Sequence, residues 1–88
     1  MRVVFTEEEF RNRKAAHAAL QRKLGFPDYY GKNLDALHDC LTEIGSPMEI
    51  VLPRQLNDED HLGEYGNQLI LVFEEAVGEN HQIKLKVE

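Results

Sequence analysis

The sequence predicts a small α/β protein whose three strands form a parallel sheet packed by helices, and three observations predict it. Short apolar or alternating runs suited to strands fall at the start, middle and end of the 88 residues. Segments with helical apolar spacing separate them. Connections of that length suit crossovers between parallel strands better than hairpins. One domain spanning residues 1–88 is the expected count, because a chain this short holds one core and 42% apolar content is enough to build it. The order of the strands cannot be read from these patterns.

Arg2 to Phe5 forms the first apolar run and stops at Thr6-Glu7-Glu8-Glu9. There Thr6 is placed to cap a helix and Glu9 to complete a capping box. Phe10, His17, Leu20 and Leu24 then recur at helical spacing until Gly25 and Pro27, which predicts a first helix over about residues 7–24. His17 lies on the apolar stripe with no second ligand type one turn away, so a hydrogen-bonded packing role suits it better than metal binding. Residues 26–32 read as an ordered loop with proline, glycine and two tyrosines, leading to a helix capped by Asn33. Leu34, Leu37, Leu41 and Ile44 follow one face of that helix, and Gly45-Ser46-Pro47 ends it. Met48 to Leu52 has strand character and stops at Pro53. Residues 54–65 are polar and acidic, with room for one helical turn and no motif. Leu69, Val72, Phe73, Ala76 and Val77 mark a third helix, closed by Gly78. Ile83, Leu85 and Val87 alternate with polar residues in a final strand.

Charge is unevenly distributed. Residues 1–24 carry a net +3 and residues 25–88 a net −9, which together give −6. Most of this surface would repel nucleic acid and attract a basic protein, although many proteins are acidic for solubility alone. No run of about 18 apolar residues is available to cross a bilayer, and the first residues lack the features of a secretory signal, so a cytoplasmic protein without membrane contact is expected. Cys40 is the sole cysteine and has no CxxC or Cys/His cluster around it, which fits a reducing compartment and a small buried apolar role.

On the second helix Asp35, Asp39 and Glu43 fall at i, i+4 and i+8, opposite the leucines. Like charges at this spacing cost about 0.2–0.5 kcal/mol per pair, and the helix dipole favours only Asp35. A cationic partner would turn that repulsion into attraction, while a plain solvated face would tolerate it. Tyr29 and Tyr30 stand beside the stripe. Either both rings pack on the core or one is an exposed anchor of the kind common at binding hot spots.

Leu24 to Leu41, reading LGFPDYYGKNLDALHDCL, resembles the signature of the barstar family of ribonuclease inhibitors, and its core matches P-[DE]-Y-Y-G-x-N-L-D-A-L. Weaker agreement runs from the first strand to the LVFEEA helix and the last strand. The resemblance implies a three-stranded parallel sheet, no catalytic activity and no cofactor. It also implies a free monomer that occludes the active site of a basic, extracellular-type microbial ribonuclease in a one-to-one complex. The implied binding segment is Tyr29, Asn33, Leu34, Asp35, Asp39 and Thr42, with Glu75 from the neighbouring helix. Asp39 would be the central group, taking the place of an RNA phosphate. His38, Glu43 and Ile44 belong to the same surface but depart from the family pattern, which leaves partner choice open. His38 would add a proton-dependent contact or stand as a spectator. His81 stands where the family has a second cysteine. Two rivals remain: a related module that binds another cationic protein or toxin, and a metal site of Asp35, His38 and Asp39, which lacks an evident fourth ligand.

Overall fold

A computed structural model describes residues 1–88. Strands β1 (Arg2–Val4), β2 (Met48–Leu52) and β3 (Ile83–Val87) alternate with helices α1 (Arg13–Leu24), α2 (Leu34–Thr42) and α3 (Glu64–Glu79). Two short 3-10 turns, Glu7–Phe10 and Arg54–Asn57, complete the chain. The sheet is parallel throughout, in the order β1-β2-β3, with Val3 opposite Ile50 and Ile50 opposite Leu85. The α/β expectation therefore holds, and the order supplies what the sequence could not. As the middle strand, β2 is apolar along nearly its whole length, and Ile50, Val51 and Leu52 are all buried. Edge strand β1 is wet on alternate residues, whereas β3 buries Ile83, half-buries Leu85 and leaves Val87 exposed beside Lys86, so its alternation fades at the C-terminal end.

The first helix is not continuous over residues 7–24. Thr6 and Glu9 do make the reciprocal contact expected of a capping box, with the Thr6 N–H donating to Glu9 Oε1 at 2.9 Å, but they open a 3-10 turn. Asn12 then takes an extended backbone and accepts from the Ala15 N–H at 2.8 Å, capping α1 afresh. Asparagine competes with the helix for backbone hydrogen bonds, and here it wins because the break lets Phe10 turn inward against Phe5. Arg22 and Lys23 reach back to Glu9 at 3.2 and 3.0 Å and fasten the turn to α1. Burial alone would raise the Glu9 carboxyl, but the Thr6 N–H and Lys23 outweigh it and hold it below the usual range. At the other end Gly25 adopts φ 70°, the left-handed conformation that closes a helix, as the sequence predicts.

Helix α3 begins at Glu64, earlier than its apolar stripe, and runs through Gly78 to Glu79, with Asn80 as its C-cap. Gly78 keeps a helical backbone instead of the left-handed φ by which glycine closes a helix, so the helix passes through it. Gly66 is the glycine that packing demands, since an added Cβ would lie 2.7 Å from the backbone of Leu56 and Asn57. His17 is buried as expected: its Nδ1 lies 2.6 Å from the Tyr30 hydroxyl and its Nε2 2.7 Å from that of Tyr65. A neutral imidazole satisfies both contacts by donating at one nitrogen and accepting at the other. Burial, with Lys32 nearby, holds the His17 pKa below the usual histidine range.

Candidate acidic interface

Helix α2 is held from both ends. Asn33 Oδ1 accepts from the Ala36 N–H at 2.8 Å, the N-cap read from the sequence. At the C-terminal end the Asn80 amide donates to the carbonyls of Leu41 and Ile44 at 2.9 and 2.8 Å, occupying acceptors that the helix leaves free. Between these points Leu37 and Leu41 are fully buried, and Leu34 packs at the core margin. Because the apolar face is fixed in this way, the opposite face must look outward. Asp35, Asp39 and Glu43 are all exposed, Asp39 with 79% of its side chain free.

Two hollows flank this face. One, of about 390 Å³, lies between α2 and α3 and is lined by Leu34, Asp35, His38, Asp39, Val72 and Glu75. The other, of about 240 Å³, joins Tyr29, Tyr30 and the loop at Gly31 to Asp39, Cys40 and Glu43. Asp39 is common to both and stands on the ridge between them. Tyr29 is 86% exposed and Tyr30 only 5%, which decides the open question about the two rings: Tyr30 packs, and Tyr29 stands clear. Thr42 donates its hydroxyl to the Asp39 carbonyl at 2.9 Å and keeps an oxygen for a further donor.

Sequence expectations for the helix end need adjustment. Helix α2 stops at Thr42, with Glu43 as its C-cap, because the N–H groups of Glu43 and Ile44 turn to carbonyls three residues back in a tightened last turn. Ile44 packs against the core and lines a separate hollow with Leu24, Phe26 and Met48, so it meets the acidic face only through Glu43. Cys40 is half-buried instead of fully enclosed. Burial pushes its thiol pKa up, and the neighbouring Glu43 and Asp39 push the same way, which keeps it protonated and unreactive.

His38 does not join Asp35 and Asp39 around a common point. Its Nε2 meets Glu79 Oε2 across the gap between α2 and α3, while Nδ1 lies 3.8 Å from Asp39 Oδ1. No group of three or more His, Cys, Asp or Glu side chains has the geometry to hold a metal ion, so the rival metal site lacks its structural basis. Glu79 was not legible as part of the surface. Its spacing from Glu75, i to i+4 on α3, repeats the like-charge pattern of α2 and is the signal that would have found it.

The whole chain, residues 1–88, matches the family described as Barstar (barnase inhibitor). The chain belongs to the barstar family. It is also similar to a Bacillus subtilis (strain 168) protein named "Putative ribonuclease inhibitor YrdF", with 40% identity over 76 residues, covering 85% of this chain and 84% of that one. Barstar family proteins are inhibitors and not enzymes. Family and relative together support a ribonuclease inhibitor role. No helix is long and apolar enough to cross a membrane.

Proposed function

We propose that this barstar family protein inhibits a basic, extracellular-type ribonuclease in a one-to-one complex, laying the acidic face of α2 and the Tyr29 loop over the enzyme's RNA site. The observation that carries the reading is the exposed row of Asp35, Asp39 and Glu43, none with a lysine or arginine partner within 4.0 Å, on a helix whose other face is locked into the core. Such a row is locally unfavourable and gains a purpose when guanidinium and ammonium groups meet it. An enzyme that binds RNA must hold cations where the phosphates lie, and carboxylates at Asp35 and Asp39 would occupy those positions. Tyr29 would cover one side of the contact and Leu34, Thr42 and Asn33 the other, with Glu75 answering a cation that lies over α3. His38, tied to Glu79, and Glu43, at the helix end, would adjust which enzyme fits.

Barnase, the enzyme in the family description, is the first probe. Titrating it with the protein should abolish RNA cleavage at equimolar ratio, with no metal required. Should barnase stay active, the same titration is repeated with basic ribonucleases secreted by the producing organism. Failure to inhibit any of them, combined with tight binding to a cationic protein that cleaves no RNA, would replace ribonuclease inhibition with the other barstar-like role, capture of a different cationic target.

A further inference from the structure

The largest hollow on the protein, about 530 Å³, is not acidic. Arg13, Lys14 and Lys32 line it, together with His17 and Tyr65, and Asp35 is its only carboxylate. None of the three cations is ion-paired, a state they share with Arg54, Lys84 and Lys86, while Arg2, Arg11, Arg22 and Lys23 have carboxylate partners within 4.0 Å. Their placement is locally unfavourable. Arg13 and Lys14 are the first two residues of α1, whose first turn contains no acidic residue, so they sit at the positive end of the helix dipole. Lys32 has φ 55°, a conformation that glycine or asparagine adopts with less strain. The Arg13 guanidinium is fixed over the Tyr65 ring at 4.1 Å from its centroid. Lys32 comes near enough to His17 to oppose its protonation.

This cleft is continuous with the acidic interface, since Leu34 and Asp35 line both it and the groove that contains Asp39. A protein that covers Asp35 and Asp39 therefore borders the cleft of Arg13, Lys14 and Lys32 at Asp35. A partner presenting cations alone would meet repulsion there. We propose that the cleft receives a carboxylate of the inhibited ribonuclease, an aspartate or glutamate at the rim of its RNA site, so that the interface is bipolar and selects enzymes by an acidic group as well as by their phosphate-binding cations. The inference rests on the inhibitor reading and adds to it a specificity determinant on a second surface.

The test uses the sign of a charge effect. Lys14→Glu/Lys32→Glu and the control Lys84→Glu/Lys86→Glu, on β3 and outside the cleft, change net charge equally. Both should fold, because Lys14 lies where the dipole favours glutamate and the other positions are exposed. Long-range steering of a basic enzyme should speed its association with both variants. The control should then inhibit barnase, or whichever ribonuclease the wild-type chain inhibits, at least as well as before. The cleft variant should dissociate faster and show an inhibition constant raised by about tenfold or more, as like charges meet across the interface. If the cleft variant inhibits as well as the control while Asp39→Ala abolishes inhibition, the bipolar interface is wrong and the inhibitor reading stands. If Asp39→Ala also inhibits normally, both fall. Binding of a short RNA by the free wild-type protein, lost in the cleft variant, would show instead that the cleft holds phosphate and would equally overturn the proposal.

Discussion

Replacing Asp39 by alanine separates what α2 does for the fold from what it does for a partner. The carboxylate is 79% exposed and accepts no hydrogen bond within the chain, and the basic side chain within 4.0 Å of it is His38, whose Nδ1 lies 3.8 Å away. The substitution removes the repulsions with Asp35 and Glu43, about 0.2–0.5 kcal/mol each, and gains up to roughly 0.7 kcal/mol in helix propensity. Against this stands the loss of an exposed histidine contact of about 0–1 kcal/mol. The Thr42 hydroxyl bonds the Asp39 backbone carbonyl, so it is unaffected. Together these terms run from a loss of about 0.6 to a gain of about 1.7 kcal/mol, so stability should hold or rise slightly, and each 1 kcal/mol corresponds to ~4–8 °C in melting temperature for a domain of this size.

Inhibition should behave in the opposite way. The enzyme's cations would be buried in the complex without an anion, and an uncompensated buried charge costs about 3–5 kcal/mol. That corresponds to an inhibition constant raised by roughly 10²–10⁴-fold. Thermal or urea denaturation of the free variant and tight-binding inhibition kinetics read the two effects separately. Destabilisation by more than about 1 kcal/mol with inhibition intact would refute the reasoning, since that pattern belongs to a structural carboxylate.

The two neighbouring tyrosines should divide in the same way. Tyr29→Ala should weaken inhibition and leave the denaturation midpoint nearly unchanged, while Tyr30→Ala should lose about 3–5 kcal/mol of stability, because its ring is buried on Phe26 and its hydroxyl meets His17. Stopped-flow association should slow strongly between about 0.01 and 0.5 M salt, where screening contracts to a few ångströms, with dissociation changing much less. His17 gives a pH dependence of known sign: its folded pKa is depressed by burial, then by Lys32, so its contribution to stability is complete above about pH 6.5 and is lost as pH falls through the folded value. Denaturation midpoints should drop between pH 8 and pH 5, and His17→Gln should remove part of that slope. Asn80→Ala strands the carbonyls of Leu41 and Ile44 and the N–H of Gln82, and denaturation should register a loss of about 2–3 kcal/mol.

Features set by a single segment were legible in the sequence, and features set by two segments meeting were not. Strands β2 and β3 and the body of α2 carry their apolar pattern within themselves, and Asn33 and Gly25 mark helix ends through chemistry local to one turn. The break before α1 was hidden because Phe10 and His17 keep helical spacing across it. Only Asn12 signals it, and the inward turn of Phe10 onto Phe5 decides it. The early start of α3 was equally hidden, since Glu64, Tyr65 and Gly66 show no apolar stripe and Gly66 is needed only because Leu56 and Asn57 press against it. The candidate interface was readable along residues 29–43 because those residues are contiguous. Glu79, which comes to it through His38, and the cluster of Arg13, Lys14 and Lys32, drawn from two distant segments, depend on how the helices pack.

Helix α2 has only nine residues, too few to be stable alone, and its charge pattern weakens it further. Its stability comes from elsewhere: Asn33 closes its first turn, Asn80 from the end of α3 donates to the carbonyls of Leu41 and Ile44, and Leu37 and Leu41 are sealed in the core on the side where α2 packs on α3. Because those contacts lie on one face and at the two ends, residues on the other face can change with little cost to the fold. That freedom accounts for how a row of carboxylates, a solvent-facing tyrosine and a histidine at position 38 coexist with a well-packed core. On the proposed inhibitor reading, partner choice would change at His38, Glu43 and the cationic cleft, positions that border Asp39 or Asp35 and leave the buried leucines in place.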